Sequence, residues 1–367
     1  MPYKFFELPK YPCERDLWDT LRETSRPIVV YGMGNGADKL IKRLSAYGVE
    51  IADFFASDGF VRGHSFHGKR VKSFSEIKEE YNDFIILLSF ASNREEVIDL
   101  FRTLDKDFEF YVPDMPVADE AEYFDKEFFN LHYGEILEAY EALSDSDSKN
   151  LFAATVNYKL TGKLSYLLEA YSEKDEIYSL MQGSSIKALV DAGAYNGDTL
   201  REAIASFPNL SLAYAIEPDV RNFKKLRKYS ETTENVDIRP INAAAWSENG
   251  SGDFLGSGNR NSSVCSTASY QHKDTQIPLI RIDSLTDGKI DYIKYDVEGA
   301  EYEALIGSEK IIERDRPVLS VSLYHKSKDI FFIVNYLKKK YTEYDFLLRR
   351  TLSVPAWEIN LILLPRY

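Results

Sequence analysis

The alternation of short apolar segments with helical segments constrains this chain most, and it occurs in two separate runs. In the first run, β-branched or aromatic segments at residues 27–32, 49–58, 83–90 and 108–112 are separated by segments with apolar residues at helical spacing. Such alternation is typical of a parallel sheet wound with helices on both faces. The sequence therefore predicts a small Rossmann-like α/β domain over residues 1–115.

The strand signal stops between about residues 118 and 182, where the chain is aromatic and helix-like around the acidic turn SDSDS at 144–148. We predict a helical connector over residues 116–183. The pattern leaves two interpretations open: a lid packed on the following domain, or a spacer bundle.

The α/β alternation restarts after the connector and continues to the end of the chain, which predicts a second α/β domain over residues 184–367. The last two strand segments, at 344–350 and 359–365, have an antiparallel character. The five before them lie at residues 186–193, 212–218, 236–246, 290–299 and 316–325.

Composition and charge exclude several classes of protein. A chain of 367 residues at about 150 per domain predicts two to three domains. With 44% hydrophobic residues, including 25 Tyr and 22 Phe, it has enough apolar side chain for real cores and is not disordered. The net charge is 45 − 59 = −14, which repels polyphosphate, so nucleic acid is not an expected partner.

Cysteine usage and hydropathy bear on the cellular compartment. Only Cys13 and Cys265 occur, without metal-type spacing, and a reducing cytosol is the simplest expectation. The first 16 residues lack an apolar signal core, and no uncharged apolar run approaches the ~20 residues of a membrane span. We therefore expect a cytoplasmic protein without a membrane span. Whether it forms a homo-oligomer stays open.

The strongest functional signal is VDAGAYNGDT at 190–199, followed by a second strand ending at Glu217. Gly193 and Gly197 allow a sharp turn from strand to helix with the backbone close to a ligand. Glu217 lies 26 residues beyond Asp191. A carboxylate at that strand end accepts hydrogen bonds from both hydroxyls of a ribose.

Asp191 discriminates between nucleotide cofactors. An acid just before the glycine turn repels a pyrophosphate and attracts the sulfonium and ammonium groups of S-adenosylmethionine. The alternative is a strand–turn–helix whose acids have no ligand. Two acids at two neighbouring strand ends favour the binding interpretation.

Three further acids, Asp296, Glu298 and Glu301, follow the fourth strand of this run, with Gly299 allowing a tight turn. Carboxyl ends of parallel strands share one edge of a sheet, so we expect these acids to face the same crevice. Helix-start carboxylates are the alternative, and they explain Glu298 or Glu301 better than Asp296.

These motifs, in the order VDAGAYNGDT, AIEPD, INAAAW, RIDSL and IDYIKYDVEGAE, resemble the FkbM family of S-adenosylmethionine-dependent methyltransferases. The similarity covers roughly residues 140–367. It implies a class I methyltransferase fold and transfer to a hydroxyl, often on a sugar or a polyketide-type product. The closing WEINLILL and the segment EIYSL at 176–180 depart from the family pattern, and both bear on the substrate pocket.

The resemblance also implies site residues. Glu217 would hold the ribose, Asn242 and Ala243 would lie near the adenine, and Asp296 would face the transfer site. The residues implied for the methionine end are Asp191, Gly193, Tyr195, Asn196, Gly197 and Asp198.

A hydroxyl acceptor must lose its proton, so a base within hydrogen-bond reach is useful. His325 closes the fifth strand of the second run and has a suitable unperturbed pKa, with Asp296 as its competitor or orienting partner. A structural histidine is the alternative. Glu298, Glu301 and His325 could also hold a divalent metal, but helix-start carboxylates need none, and we predict no metal.

The first domain carries a weaker motif, YGMGNGAD at 31–38, which fits a dinucleotide fingerprint only if Ala37 replaces the last glycine. Asp58 lies 22 residues past Gly36, at a tolerable distance for a ribose-binding acid. One rival function is therefore an NAD-dependent sugar-modifying oxidoreductase. We favour a degenerate domain used for docking or for recognition of the substrate chain. A non-catalytic glycan-assembly scaffold is the second rival.

Residues 257–274 form a polar stretch too long for an ordinary connection. We expect it to cover the active site and contribute to acceptor choice. A surface insertion is the alternative.

Overall fold

The structure of the protein is a computed structural model that describes residues 5–118, 122–255, 263–265 and 275–366. Most of the stretch expected to cover the active site, 257–274, lies outside the described residues, so that expectation stays a prediction. The helices, in chain order, are α1 (Leu17–Glu23), α2 (Asn35–Ala46), α3 (Phe74–Glu80), α4 (Glu95–Asp107), α5 (Lys126–Leu131), α6 (Tyr133–Ala142), α7 (Ser146–Thr161), α8 (Leu164–Glu169), α9 (Lys174–Leu180), α10 (Asp198–Ser206), α11 (Val220–Thr232), α12 (Glu301–Ile306), α13 (Glu309–Asp315) and α14 (Asp329–Lys340).

The strands carry the architecture. In chain order they are β1 (Ile28–Tyr31), β2 (Asp53–Ala56), β3 (Ser65–Phe66), β4 (Lys69–Arg70), β5 (Lys72–Ser73), β6 (Ile85–Leu88), β7 (Glu109–Tyr111), β8 (Ala188–Ala192), β9 (Leu212–Ile216), β10 (Asp237–Ile241), β11 (Ala244–Ala245), β12 (Gly250–Leu255), β13 (Ser263–Cys265), β14 (Thr275–Ile280), β15 (Tyr292–Tyr295), β16 (Val318–Ser322), β17 (Tyr344–Arg350) and β18 (Ile359–Pro365).

The first run of strands forms a five-stranded parallel sheet with the order β5-β2-β1-β6-β7. Every residue of β1, β2 and β6 is buried. Strands covered on both faces read as continuous apolar runs, which is why the sequence identified them.

The second run forms a seven-stranded sheet with the order β10-β9-β8-β15-β16-β18-β17. The five strands from β10 to β16 are parallel, and β18 and β17 are antiparallel to their neighbours. The chain therefore has the predicted Rossmann-like α/β fold. Strand order reverses at β8, where an open α/β sheet provides a ligand crevice.

A smaller sheet, β11-β14-β12-β13, was not foreseen from the sequence. It mixes parallel and antiparallel pairs and lies between β10 and β15 in the chain. Its strands are short and include glycines and a proline, so their sequences show no clear alternation of apolar and polar residues.

The helices between the two sheets pack on the second sheet. Helix α6 lies against α14, and α7 lies against β17. The Asn335 amide donates to the Glu135 carbonyl at 2.9 Å, and Arg349 pairs with Asp145 at 2.7 Å. These contacts fit the interpretation of a layer on the second domain rather than a spacer. The boundaries at 115/116 and 183/184 remain proposals about folding units.

The N-terminal sheet is tied to the second domain through residues 116–118. Lys39 on α2 donates to the carbonyls of Pro116 and Val117, at 2.8 and 3.0 Å. The Ala118 N–H donates to the His325 carbonyl at 3.0 Å. One continuous cluster of buried apolar side chains also includes residues from both sheets. Within the described ranges, no helix has the length and apolar character that crossing a membrane requires.

Arg350 at the end of β17 is 1% exposed and fixes the connector to the sheet. Its guanidinium donates to the carbonyls of Leu167, Ala170 and Ser353, with distances of 2.8 Å to the last two. Burial lowers the pKa of the Arg350 guanidinium to about 10, so it stays charged at neutral pH.

Replacing Arg350 by Met is expected to destabilise the protein by about 3 kcal/mol, because three buried carbonyls lose their donor. The matched control is Arg227→Met on α11, where the side chain is 61% exposed and only a 3.7 Å ion pair is lost; we expect about 0.5 kcal/mol or less. Thermal unfolding followed by circular dichroism measures both. Equal shifts in Tm would contradict the role given to Arg350.

Candidate functional site

A cleft lies where β8, β9 and β15 end, at the point of strand-order reversal. It encloses about 910 Å³, including open solvent at its mouth. Gly193, just after β8, has φ +89°, and a Cβ there would lie 1.8 Å from the Asp296 carbonyl oxygen. The first glycine turn and the chain leaving β15 therefore touch, and no larger residue fits between them.

The structure places the predicted site residues at two depths. Five border the cleft: Gly193, Tyr195, Asp198, Glu217 and Asp296. Six lie behind its wall or beside it: Asp191, Asn196, Gly197, Asn242, Ala243 and His325.

Asp191 lies beneath the cleft floor and is 2% exposed. The Thr199 hydroxyl donates to its Oδ2 at 2.6 Å, and Lys294 Nζ lies 3.8 Å from its Oδ1. Oδ1 is buried without a hydrogen bond. Burial raises the pKa of Asp191, although Lys294 opposes this shift. The carboxylate therefore acts on the cleft through its charge and through Thr199, which borders the cleft.

Glu217 is held by backbone donors on both carboxylate oxygens. The N–H of Tyr195 and the N–H of Asp219 each lie 2.8 Å from it. Burial raises the pKa of Glu217 to about 8, while these two hydrogen bonds lower it. Each oxygen keeps a further lone pair, so the carboxylate has capacity for donors from the cleft.

Asn242 and Ala243 do not reach the cleft directly. The Asn242 amide donates to the carbonyls of Glu217 and Pro218, at 2.8 and 3.0 Å, and so ties the ends of β9 and β10 together. Ala244 and Ala245, one and two residues further on, border the cleft.

The outer part of the glycine turn is built by Asn196 and Gly197. Gly197 has φ +85° and is the N-cap of α10, and a Cβ there would lie 2.7 Å from the Tyr229 ring. The Asn196 side chain accepts from Arg201 at 3.4 Å. Both residues shape the turn and do not border the cleft.

A half-buried pair of opposite charges lies at the end of β15. Lys294 Nζ donates to Asp296 Oδ2 at 3.0 Å, and the Tyr324 hydroxyl donates to Asp296 Oδ1 at 2.9 Å. Although burial acts in the opposite direction, Lys294 and then His325 hold the pKa of Asp296 well below its usual range. Asp296 is therefore a fixed anion with a donor on each oxygen.

His325 is fully buried and has acidic neighbours on both sides of its ring. Nδ1 lies 2.9 Å from Glu301 Oε1, and Nε2 lies 3.5 Å from Glu298 Oε2, but neither nitrogen makes a hydrogen bond of acceptable angle. Burial lowers the pKa of His325, but Glu301 and then Glu298 outweigh it and raise the pKa to about 10. The imidazole lies behind the cleft wall and does not border the cleft, so the expectation that it acts directly as a base stays a prediction without a contact to support it.

Glu298, Glu301 and His325 do not converge as metal ligands, because the two carboxylates approach opposite nitrogens of the ring. Glu301 instead accepts from the backbone N–H groups of Val297 and Gly299, at 3.0 and 3.3 Å. In the described part of the chain, no group of three or more His, Cys, Asp or Glu is arranged to hold a metal ion.

Sequence reasoning missed several residues that border the cleft. The sequence does indicate Lys294, because it lies two residues before Asp296 and alternate residues of a strand point to the same face of the sheet. No sequence signal indicates Asn222, Tyr324 or Glu358. Besides Gly193, three non-glycine residues with left-handed φ border the cleft, namely Tyr195, Glu298 and Glu358 at +48°, +54° and +60°. Strain of this kind concentrates at functional sites.

Charge on the cleft wall favours a cationic ligand. The acids that border it are Asp198, Glu217, Asp296, Glu298 and Glu358, and the base that borders it in the described ranges is Lys294.

The N-terminal glycine turn differs from this site. Gly32 and Gly34 have φ of +107° and +97°, and a Cβ on Gly36 would lie 2.0 Å from the Ser89 carbonyl oxygen. Packing against Phe90 and Ser89 requires glycine at Gly32 and Gly36, whereas at Gly34 only the positive φ favours it. Asp58 accepts from both the N–H and the hydroxyl of Ser75, at 3.2 and 2.6 Å.

Comparison with known proteins agrees with this geometry. The family described as "Methyltransferase FkbM domain" matches residues 191–348. The fold is similar to that of a methyltransferase FkbM from Methylobacillus flagellatus KT, with 19% identity, 98% of this chain and 94% of that chain covered, and a TM-score of 0.71. An rRNA methylase from Streptococcus thermophilus matches at 14% identity, 52% and 95% coverage, and a TM-score of 0.34.

A Streptococcus mutans protein in complex with SAH matches at 14% identity, with 52% of this chain and 97% of that chain covered and a TM-score of 0.34. Among curated proteins, none has a sequence that matches this chain. The family match spans the glycine turn, the end of β9 and the acids after β15, which are the elements that build the cleft. Residues 191–348 of this chain therefore match the FkbM methyltransferase domain.

Proposed function

We propose that the chain is an S-adenosylmethionine-dependent O-methyltransferase that acts on a hydroxyl of a sugar or glycan precursor. The observation that carries the proposal is the position of Glu217, whose buried carboxylate borders the cleft beside the glycine turn at the strand-order reversal. This is where a nucleoside ribose lies in folds of this type.

The residues present fit this cofactor. Asp191 Oδ1 and Asn222 Oδ1 are buried polar atoms without a hydrogen bond, and Gly193 leaves a space that a Cβ would fill. The excess of acids on the wall suits a ligand with a sulfonium and an ammonium group. An orphaned buried oxygen is costly unless a ligand or a nearby positive charge compensates it.

The proposed cofactor contacts depend on whether each residue borders the cleft or lies behind its wall. Glu217 accepts from the ribose hydroxyls, and Ala244 and Ala245 form the apolar wall for the adenine, with Asn242 and Ala243 supporting that wall. The residues for the methionine end are Gly193, Tyr195 and Asp198 at the surface, with Asp191, Asn196 and Gly197 beneath or beside them.

The bound cofactor would supply an electrophilic methyl group on a cationic sulfur. The protein's own contribution is alignment of the acceptor and exclusion of water. Asp296, fixed by Lys294 and Tyr324, offers a rigid anionic surface at the transfer end. His325 supports this end from behind the wall rather than by contact with the acceptor.

The sugar acceptor rests on the FkbM resemblance and not on a contact. Oxidoreductase chemistry with NAD has no comparable support, because the family match at residues 191–348 covers the second glycine turn and not the one before Asp58. Heat stabilisation by NADH and not by S-adenosylhomocysteine would favour that rival. Cofactor binding without turnover on any acceptor would favour a scaffold.

Calorimetric titration with S-adenosylhomocysteine, followed by transfer of labelled methyl groups to a panel of sugars and glycan precursors, tests the proposal. We expect one binding site per chain and label on a hydroxyl oxygen. Absence of S-adenosylhomocysteine binding would contradict the cofactor assignment. Label on nitrogen or carbon would contradict the O-methyl assignment alone.

The raised pKa of Glu217 predicts a pH-dependent affinity. Below pH 8 the carboxyl carries a proton in the free protein, and a ribose diol requires the ionised form as a double acceptor. The dissociation constant for S-adenosylhomocysteine should therefore fall as pH rises from 6 to 8, by up to about tenfold per unit, and level off above 8.

Calorimetry at pH 6, 7, 8 and 9 measures this slope. Glu217→Gln should weaken binding and remove the slope, whereas Glu231→Gln, at an exposed position on α11, should leave both unchanged. A slope that survives in Glu217→Gln would assign the titration to another group.

A further inference from the structure

Glu298 borders the cleft next to the buried imidazole, as does Asp296, whose Oδ1 is 3.6 Å from His325 Nε2. Glu298 lies in the turn between β15 and α12, with φ +54° and a side chain that is 26% exposed. The turn is fixed from below, because Glu301 accepts from the N–H groups of Val297 and Gly299. A strained conformation held in this way presents the carboxylate at a defined place.

Asp296, the neighbouring acid, is poorly suited to receive a proton. Lys294 donates to one of its oxygens and Tyr324 to the other. Protonation of Asp296 would leave the buried Lys294 ammonium with fewer counter-charges, which is costly. Asp296 is therefore better placed to fix charges than to exchange protons.

His325 lies directly behind Glu298. Its Nε2 is 3.5 Å from Glu298 Oε2, and its Nδ1 is 2.9 Å from Glu301 Oε1. The imidazole thus lies between a buried carboxylate and one on the cleft wall. Since the ring is fully buried, it acts on an acceptor only through Glu298 or Asp296.

We propose that Glu298 is the catalytic residue that receives the acceptor's hydroxyl proton, with His325 as the positioning residue behind it. This inference rests on the proposed function. In the transfer, the acceptor oxygen forms a bond to the methyl carbon, the sulfur–carbon bond breaks, and its electron pair stays on sulfur. The hydroxyl proton passes to the Glu298 carboxylate and from there to solvent at the cleft mouth.

Glu298 is a better candidate than Glu358, the other acid on the wall with a left-handed φ. Glu358 precedes β18, whereas Glu298 lies in the turn beside the buried imidazole, with its Oε2 3.5 Å from His325 Nε2. His325 is thus within electrostatic reach of Glu298.

The test compares Glu298→Gln, Glu298→Asp and the control Glu303→Gln, which lies on α12 away from the cleft wall. Turnover is measured on the acceptor found in the labelled-methyl panel. We expect Glu298→Gln to lower kcat by about 10²–10⁴-fold. The dissociation constants for S-adenosylhomocysteine, and for the acceptor in its presence, should change less than threefold, because the amide oxygen still accepts a hydrogen bond.

Glu298→Asp should restore part of kcat, and Glu303→Gln should match the wild type. Adding His325→Gln to Glu298→Gln should lower kcat little further, since the two residues act as a unit. Unfolding temperatures within about 2 °C of the wild type would show that Glu298→Gln is folded.

Wild-type turnover that persists in a folded Glu298→Gln would overturn the inference and leave the proposed function intact. If the double variant loses kcat by the product of the two single-variant factors, the positioning role of His325 is overturned. Absence of wild-type turnover on every acceptor, despite S-adenosylhomocysteine binding, would contradict the proposed function, and the inference would fall with it.

Discussion

The site depends on the ion pairs that the Lys294 ammonium makes with two carboxylates. Lys294 is the direct register partner of Asp191 across the parallel strands β15 and β8, and it also donates to Asp296 two residues further along. One buried cation thus serves two carboxylates at the edge where strand order reverses. Burial opposes the charge, but Asp296 and Asp191 outweigh it and raise the pKa of Lys294 above its usual value.

This arrangement leaves the cleft with more acids than bases. Removing the cation would leave the buried Asp191 and the half-buried Asp296 with only the hydroxyls of Thr199 and Tyr324 as donors, which is costly. Retaining it still leaves more acids than bases on the cleft wall, since Asp198, Glu298 and Glu358 lie in turns or at a helix start outside the strand pairing. This excess favours a cationic ligand.

The sequence predicted what depends on local patterns. Continuous apolar runs identified the parallel strands, and Gly193 with Glu217 identified the strand ends that build the cleft. Local patterns could not predict whether a side chain borders the cleft or lies behind its wall. Asp191 is buried because β9 and β15 flank its strand, whereas His325 is buried against the turn after β15 and residue 118, which are distant in the sequence. Glu358 reaches the cleft from a distant strand, and no local pattern indicates such proximity.

The remaining parts of the chain hold the site in place. The connector helices pack on α14 and β17, and the segment at 116–118 joins Lys39 of the first sheet to the His325 carbonyl. This packing from behind holds the charged side chains of the cleft in fixed positions. The similarity to the Methylobacillus flagellatus structure covers 98% of this chain, so it includes this support as well as the family domain.

A crystal structure of the protein with S-adenosylhomocysteine would show where the nucleoside binds. We expect the ribose hydroxyls within hydrogen-bond distance of the Glu217 carboxylate and the amino-acid end beside the Gly193 turn. A nucleoside bound at the N-terminal glycine turn, or a Glu217 side chain that contacts only the backbone N–H groups of Tyr195 and Asp219, would contradict this expectation.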